Sequence, residues 1–408
     1  MHKKIFLISI ILILFLLFLT GCYDASGLET LAYVIALGID KGSTNDIKLS
    51  LQIATLTDSS SSSGSSAQFD SATIVSVECD TIESGIALVN SYISKKINLS
   101  HCKAVIISEE LATSGISKYV LSLVNNIELR PNCNMIISKC SAHALLENFK
   151  PTLESASARY YELIVNSSEY SGYTKNIHIS DFYTSMLDTA SQATAILANI
   201  NDAKIKSNID SLSNNDDQAY IAGNIPIDAK NKIEILGLAV FSEDKLVGEL
   251  NNIENLCHLI ITNKLCEGTV TIPSPFNTND NLSFSVSLSK PTCNSVYSVN
   301  NHPYITSKIC INAVLETMNY NIDVSDKNTL ILLNESLTDY ILQNIYSYLY
   351  KTSKIYKSDI VGFGKYAKSK YLTWNDWYNS DWLNNYENSF FNVSVDSNVR
   401  SSYLFTKF

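Results

Sequence analysis

The amino-terminal segment that ends at Cys22 constrains the interpretation of the rest of the chain most strongly. It has the pattern of an export signal that is cleaved off, so it is not expected to be part of the folded protein. Two positive charges, Lys3 and Lys4, precede an apolar run over residues 5–19 that only Ser9 interrupts. A charged start, a short apolar stretch and small residues before a cut are typical of a secretory signal peptide. The run is also shorter than the ~20 residues that comfortably span a bilayer as a helix.

Residues 19–22 read Leu-Thr-Gly-Cys, which is similar to the bacterial lipobox, where the cysteine thiol receives a diacylglyceryl group. We therefore predict a signal peptide over residues 1–21 and a lipidated tether over residues 22–30, with Cys22 as the lipidation site. One acyl chain anchors a protein only marginally, whereas additional chains such as palmitate hold it firmly. The alternative is an uncleaved amino-terminal anchor that ends in cysteine by coincidence.

The charge of the chain argues against two classes of binding partner, nucleic acids and anionic lipid headgroups. The formal net charge is −10, and 46% of the residues are hydrophobic, an ordinary content for a packed core. An acidic chain has no electrostatic reason to bind nucleic acid or anionic lipid headgroups. The cysteines after Cys22 are scattered through apolar segments, where cysteine packs as a small hydrophobe. The sequence leaves open whether any of them form disulfides.

Alternating strand and helix patterns predict a mixed α/β (α+β) fold. Residues 31–40 and 47–53 favour a hairpin, and the strand-helix alternation after them favours crossover units. A capping box at Asp80 and Glu83 is expected to open a helix, and the strongest helical pattern spans residues 326–354. We predict three mixed sheet-and-helix domains: an N-terminal α/β domain at 31–198, a middle domain at 199–264, and a C-terminal domain at 265–408 with a long helix and a Trp-rich end.

The sequence lacks several common motifs of catalytic, phosphate-binding and metal-binding sites. The histidines form neither HExxH nor a helical pair, and there is no phosphate-binding GxxxxGK[ST] and no GxSxG elbow. No CxxC pair supports a zinc site. We therefore expect no catalytic residue, no cofactor and no metal, and we predict that the protein is not an enzyme.

The C-terminal tryptophans are the strongest candidates for contact with a partner. Trp374, Trp377 and Trp382 lie close together on a background of Asn, Asp and Ser. Aromatic side chains on a polar background are frequent at protein interfaces, and we predict a partner-binding role for these three. Packing in the core is the alternative, and the sequence leaves both open.

Several stretches keep a characteristic order along the chain. They are residues 22–24, 31–34, 38–40, 99–103, 106–112, 128–132, 237–241, 244–248 and 359–364, followed by the Trp-rich segment. Together they resemble the spore germination receptor C-subunit family, the Ger(x)C lipoproteins. Two positions depart from that pattern, because Tyr23 stands where the family usually has Trp and Gly27 where a Glu is common.

The resemblance implies a non-enzymatic subunit with three mixed α/β domains, held on the outer face of the inner membrane of the spore. Such subunits assemble with two integral membrane subunits, A and B, into a receptor that senses small nutrients and triggers release of ions and dipicolinate. A different class remains as the alternative, a lipid-anchored solute-binding protein that delivers a nutrient to a transporter. That class requires two similar α/β lobes around a cleft.

Overall fold

The structure is a computed structural model. It describes residues 3–7, 9, 27–55, 72–149, 157–166, 168–201, 219–227, 229, 231–277, 280–299, 302–316 and 326–401. The prediction of a mixed sheet-and-helix fold is confirmed, with two domains that are each built around one sheet.

Nine strands within the described residues form the first sheet, in the order β3-β2-β1-β5-β6-β7-β8-β9, with β4 beside β1. The strands are β1 (Leu31–Lys41), β2 (Ile47–Ile53), β3 (Thr73–Cys79), β4 (Lys96–Asn98), β5 (Ala104–Ser108), β6 (Asn134–Ser138), β7 (Thr194–Ile200), β8 (Ile233–Ser242) and β9 (Lys245–Leu250). The predicted hairpin is confirmed, since β1 and β2 pair antiparallel. The central strands β1, β5, β6 and β7 run parallel, as crossover units require.

The expected middle domain has no sheet of its own. Strand β8 pairs antiparallel with β7, and β9 pairs with β8, so both continue the first sheet. Strand β7 was not predicted, because residues 194–200 lie where the sequence analysis placed the end of the first domain. Without β7 there was no edge onto which the next hairpin could be placed. The predicted number of three domains is therefore corrected to two, and the exact domain boundaries stay a prediction.

The second sheet has the order β10-β11-β12-β13 within the described residues. Its strands are β10 (Gly268–Pro273), β11 (Asn281–Val299), β12 (His302–Leu315) and β13 (Phe390–Ser401). Strands β11 and β12 form a long hairpin, and β13 joins β12 in parallel. A parallel neighbour needs a long connection, and the long predicted helix supplies it.

The helices cover the two sheets. They are α1 (Ile82–Tyr92), α2 (Glu109–Ser114), α3 (Ser117–Asn125), α4 (Ala142–Glu147), α5 (Ser157–Asn166), α6 (Ser168–Ser171), α7 (Ile179–Met186), α8 (Asn252–Ile261), α9 (Lys327–Tyr350), α10 (Phe363–Lys368), α11 (Trp374–Asn379) and α12 (Trp382–Asn385). A π-helical turn, Lys351–Ile355, extends α9. Helix α9 confirms the helical pattern predicted at residues 326–354, and its apolar side is buried along most of its length, from Leu333 to Tyr348.

The capping box of α1 lies one residue later than predicted. Thr81, not Asp80, is the N-cap, and its hydroxyl accepts a hydrogen bond from the backbone N–H of Ser84. The Ser84 hydroxyl in turn accepts from the backbone N–H of Thr81. Asp80 instead accepts a hydrogen bond from the Asn45 side chain, because it lies in the turn beside the β1–β2 loop.

The two sheets meet through α8. The end of this helix contacts the irregular part of β11, where Thr292 donates to the carbonyl of Ile260 and Asn294 donates to the carbonyl of Ile261. The preceding residues of α8 are buried against the first sheet and against α9. This helix therefore links the two domains through hydrogen bonds from side chains of β11 to its backbone carbonyls, as well as through apolar contact.

Candidate functional site

The predicted anchoring site cannot be placed. Cys22 lies outside the described residues, and so does most of the signal peptide at 1–21, although residues 3–7 are helical with exposed side chains. Among the helices that the structure describes, none combines the length and the apolar character needed to cross a bilayer. Lipidation of Cys22 therefore stays a prediction.

A buried aspartate organises the C-terminal signature. Asp359 is fully buried, and its Oδ1 atom accepts hydrogen bonds from the backbone N–H groups of Gly362 (2.9 Å) and Phe363 (3.0 Å). Its Oδ2 atom accepts from the backbone N–H of Gly364 and from the indole Nε1–H of Trp382, both at 2.8 Å. The carboxylate thus caps the start of α10 and also fixes a tryptophan.

Burial raises the pKa of Asp359 to about 6, even though all four hydrogen-bond donors act to lower it. The carboxyl group is therefore mostly ionised at neutral pH, and its charge is met by N–H dipoles alone. A helix N-terminus is a favourable place for a negative charge. The observed cap explains why the sequence places Asp three residues before Gly362.

The same segment is attached to the first domain. The carbonyl of Asp359 accepts from the backbone N–H of Gln192, and Ser358 Oγ donates to the carbonyl of Phe241. Trp377 Nε1 donates to the hydroxyl of Thr189 at 2.9 Å. The C-terminal signature consequently spans the two domains and holds them together with directional contacts.

The structure does not bring the three predicted tryptophans together on one surface. Trp377 and Trp382 are buried, with 2% and 6% of their surface exposed, and their rings stack with centroids 6.2 Å apart. Trp374 is 67% exposed, with Lys368 Nζ 4.1 Å from its ring centroid. For Trp377 and Trp382 the core alternative describes what is observed, because both rings are buried and both indole N–H groups donate to side chains within the protein. A partner-binding role stays a prediction, and of the three only Trp374 presents its ring to solvent.

Two neighbours of Trp374 extend the exposed apolar area. Leu372 is 98% exposed and Tyr378 is 76% exposed. We call Leu372, Trp374 and Tyr378 the aromatic surface. Exposed large side chains concentrated in so short a segment are unusual unless something covers them, so this surface is the best remaining candidate for protein contact in the C-terminal domain.

The signature at residues 237–248 forms the β8–β9 hairpin, and its glycines serve close packing. Gly237 has a positive φ of 81°, and a Cβ atom there would overlap the carbonyl oxygen of Leu250. A Cβ on Gly248 would overlap the ring of Tyr356, whose hydroxyl donates to the carbonyl of Glu249 at 2.8 Å. Close packing against Leu250 and Tyr356 explains both glycines without a binding role.

Two other signature aspartates also serve as helix caps. Asp40 accepts hydrogen bonds from the backbone N–H groups of Ala142 (2.6 Å) and His143 (2.9 Å) at the start of α4. Asp244, in the β8–β9 turn, accepts from the backbone N–H of Ser117 at the start of α3. Sequence analysis did not predict these roles, because each aspartate caps a helix that is distant in the sequence.

The remaining signatures contact one another. The carboxylate of Glu128 accepts a hydrogen bond from the backbone N–H of Leu99 at 3.1 Å, which joins residues 128–132 to residues 99–103. The His101 ring packs edge-on against Tyr33, with centroids 4.8 Å apart. Cys102 and Cys133 are buried free thiols whose sulfur atoms lie 3.8 Å apart. In the part of the chain that the structure describes, no three metal-ligating side chains cluster.

The chain is similar to known proteins in both sequence and structure. Residues 24–201 match the model of the spore germination protein N-terminal domain. Residues 236–403 match the model of the spore germination B3/GerAC-like C-terminal domain. The second match begins within β8, so the first sheet contains strands from both matched regions.

Two relatives come from Bacillus subtilis (strain 168). Spore germination protein KC is 23% identical over 371 residues, which is 90% of this chain and 88% of that protein. Putative spore germination protein YfkR is 20% identical over 365 residues, which is 88% of this chain and 87% of that protein. The crystal structure of the GerBC protein matches with a TM-score of 0.52 at 13% identity, and covers 89% of this chain and 96% of that one. At this identity the likeness to the GerBC protein establishes a shared fold.

Proposed function

The chain belongs to the C-subunit family of spore germination receptors, and on that premise we propose that it is the lipid-anchored, non-enzymatic C subunit of a nutrient germinant receptor. Its role in spore germination follows from the family. The finer elements of the proposal are the anchor at Cys22, the location on the outer face of the spore's inner membrane, and assembly with the integral membrane subunits A and B.

The observation that carries the proposal is the match of both family models, in order, over nearly the whole chain. The use of acidic side chains supports a scaffolding role. Asp40, Asp244 and Asp359 each accept hydrogen bonds from helix N-termini. A carboxylate whose lone pairs are occupied by backbone N–H groups is poorly placed to act as a general base.

The position of Cys22 suits a membrane anchor close to the folded domains. The first described turn after it, Leu28–Thr30, leads directly into β1. A fully extended chain covers at most ~3.6 Å per residue, so lipid on Cys22 would hold the first sheet within about 30 Å of the membrane surface. That distance keeps the protein beside integral membrane partners.

The aromatic surface supports contact with such partners. Leu372, Trp374 and Tyr378 are exposed in a domain whose other tryptophans are buried. Interface cores are enriched in Trp and Tyr. We therefore propose that this surface, and not the buried Trp377 and Trp382, contacts the A or B subunit. The two unlike sheets also fit a receptor subunit better than a solute-binding protein, which needs two similar lobes.

The anchor is tested with spores that carry Cys22→Ala. We expect the protein to leave the spore membrane fraction and the response to nutrient germinants to be strongly reduced, because the variant cannot be lipidated. Cys293→Ala is the matched control, since it removes a thiol that is exposed on β11 and should change neither readout. Normal membrane fractionation and normal germination of the Cys22→Ala spores would contradict the proposal.

A further inference from the structure

A cleft beside α7 and α8 contains two lysine side chains that form no ion pair among the residues that the structure describes. Its volume is about 380 Å³, and it is lined by Lys175 and Lys264 together with the polar side chains of Asn176 and Ser185. Small-molecule sites in proteins typically measure ~300–1,000 Å³. We call the cavity lined by these four residues the lysine cleft. Its volume suits a small ligand.

Lys175 is held at the base of the cleft by a chain of buried groups. Its Nζ atom lies 3.2 Å from Nε2 of His258, and Nδ1 of His258 lies 2.8 Å from the hydroxyl of Tyr348. His258 and Tyr348 are both fully buried. Burial and the charge of Lys175 lower the pKa of His258 well below its usual value, so the imidazole is neutral. The ammonium group therefore donates to Nε2, and Nδ1–H donates to Tyr348.

The ammonium group of Lys175 has no counter-charge in contact with it. Among the residues that the structure describes, no carboxylate oxygen lies within ion-pair distance of Lys175 Nζ. Burial lowers the pKa of this lysine to about 8, and the charge of Lys264 acts in the same direction. Lys175 is therefore still mostly protonated at neutral pH. A partly buried cation beside a second cation is costly unless an anion joins them.

Two acidic residues also line the cleft, and neither is in contact with Lys175. Asp181 lies beside His178 at the start of α7, with 3.4 Å between Oδ2 and Nδ1. Glu169 is exposed at the rim. Asp181 raises the pKa of Lys175 only through a longer-range effect that is smaller than that of burial. The ammonium group at the base of the cleft is thus left without a carboxylate in contact with it among the described residues.

We propose that the lysine cleft binds a small oxyanion, a carboxylate or a phosphate, with Lys175 as its anchor at the base and Lys264 at its mouth. The neutral donors Asn176 and Ser185 would complete the hydrogen bonding of the anion. The chain His258–Tyr348 holds Lys175 in position through α8 and α9, so the site lies where the two domains meet. This site does not depend on the lipid anchor or on the membrane subunits.

The test uses the full-length protein, purified in a non-ionic detergent, and equilibrium dialysis against radiolabelled inorganic phosphate and, separately, radiolabelled acetate at constant KCl. We expect saturable binding of one anion per chain. Lys264→Gln should weaken it ~5-fold, the effect of one nearby charge in a solvated site. Lys245→Gln is the matched control, because Lys245 is exposed at the start of β9 and lies outside the cleft, and this variant should bind like the wild type.

Lys175→Gln should abolish saturable binding. If the Lys175→Gln variant does not fold, Lys264→Gln still tests the proposal, because Lys264 is exposed and its substitution should not disturb the fold. Binding of phosphate alone or of acetate alone supports the site and identifies the class of anion. Absence of saturable binding of both anions, or equal affinities of the Lys264→Gln and Lys245→Gln variants, would overturn the proposal. Neither result depends on germination or on membrane attachment, so failure here is distinct from failure of the proposed function.

Discussion

Trp382 donates its indole N–H to the fully buried carboxylate of Asp359 over 2.8 Å. The carboxylate receives three backbone N–H groups as well, and the backbone carbonyl of the same residue accepts from Gln192 in the first domain. One side chain therefore orders α10, a tryptophan and the contact between domains. The first predictions follow from this arrangement.

We expect Asp359→Asn to lower the free energy of unfolding by about 2–4 kcal/mol. An asparagine keeps one oxygen, but its NH₂ group would face two donors, those of Gly364 and Trp382. Urea unfolding of the purified protein measures the loss. Asp339→Asn is the control, because Asp339 is exposed on α9, and it should be within about 0.5 kcal/mol of the wild type. Equal stability of the two variants would contradict the buried cap.

The same aspartate should give a characteristic dependence on pH. Its pKa is raised from 3.8 to about 6 in the folded protein, so the unfolded state releases its proton first as pH rises. The wild type should therefore lose about 2 kcal/mol of stability from this group as pH rises from 4 to 6. Asp359→Asn should lack this contribution, and the difference between the two unfolding curves against pH isolates it. A difference that is constant across this range would refute the assignment.

The contribution of His258 to the pH dependence of stability should have the opposite sign to that of Asp359. Its pKa is lowered in the folded protein by burial and by Lys175, so only the unfolded state takes up a proton just below pH 6.5. Stability from this group is present above pH 6.5 and is lost as pH falls below that value. His258→Gln should therefore lose less stability than the wild type between pH 7 and pH 5, measured by thermal unfolding. Parallel curves would show that the imidazole is not held neutral.

The glycines of the hairpin and of the C-terminal signature give a matched pair. Gly237 and Gly362 both have φ near 80°, but only at Gly237 would a Cβ overlap backbone. At Gly362 the nearest atom would be Cβ of Ser191 at 3.4 Å. We expect Gly362→Ala to cost about 1 kcal/mol of unfolding free energy from the positive φ alone. Gly237→Ala should cost clearly more, and equal losses would argue against the close approach of Leu250.

The aromatic surface predicts a separation between stability and assembly. Trp374→Glu should leave the unfolding free energy within about 0.5 kcal/mol of the wild type and reduce co-purification with the membrane subunits. Tyr92→Glu, at an 81% exposed position on α1, controls for a charge placed elsewhere. Trp377→Ala should instead destabilise the protein by about 3–5 kcal/mol, as expected for a buried aromatic side chain. Normal co-purification of the folded Trp374→Glu variant would remove this surface from consideration.

Local patterns in the sequence predicted much of the fold. The hairpin pattern at residues 31–53 and the helical pattern at residues 326–354 predicted the correct elements, because both depend on residues that are neighbours along the chain. The domain count was wrong because it depended on β7, whose apolar run was placed at a domain end. Only the pairing of β7 with β8 shows that residues 233–250 belong to the first sheet.

The candidate sites also differ in whether they depend on a local motif or on contacts between distant segments. The motif at Cys22 is local and could be recognised from the sequence, although the described residues do not include it. The burial of Trp377 and Trp382 could not be predicted, since it depends on Thr189 and Asp359 in other segments. Lys175 and His258 are likewise remote in the sequence. A lysine and a histidine give no signal of their own until the fold brings them into contact.

The shared first sheet limits how the gene can be divided. A fragment that stops at residue 201, where the first family match ends, would lack β8 and leave the backbone N–H and C=O groups of β7 without their partner on that side. Bare strands of this kind recruit other chains and promote aggregation. The β8–β9 hairpin must therefore be synthesised before strand β7 is paired on both sides. We do not expect the two matched regions to evolve, or to be expressed, as separate modules.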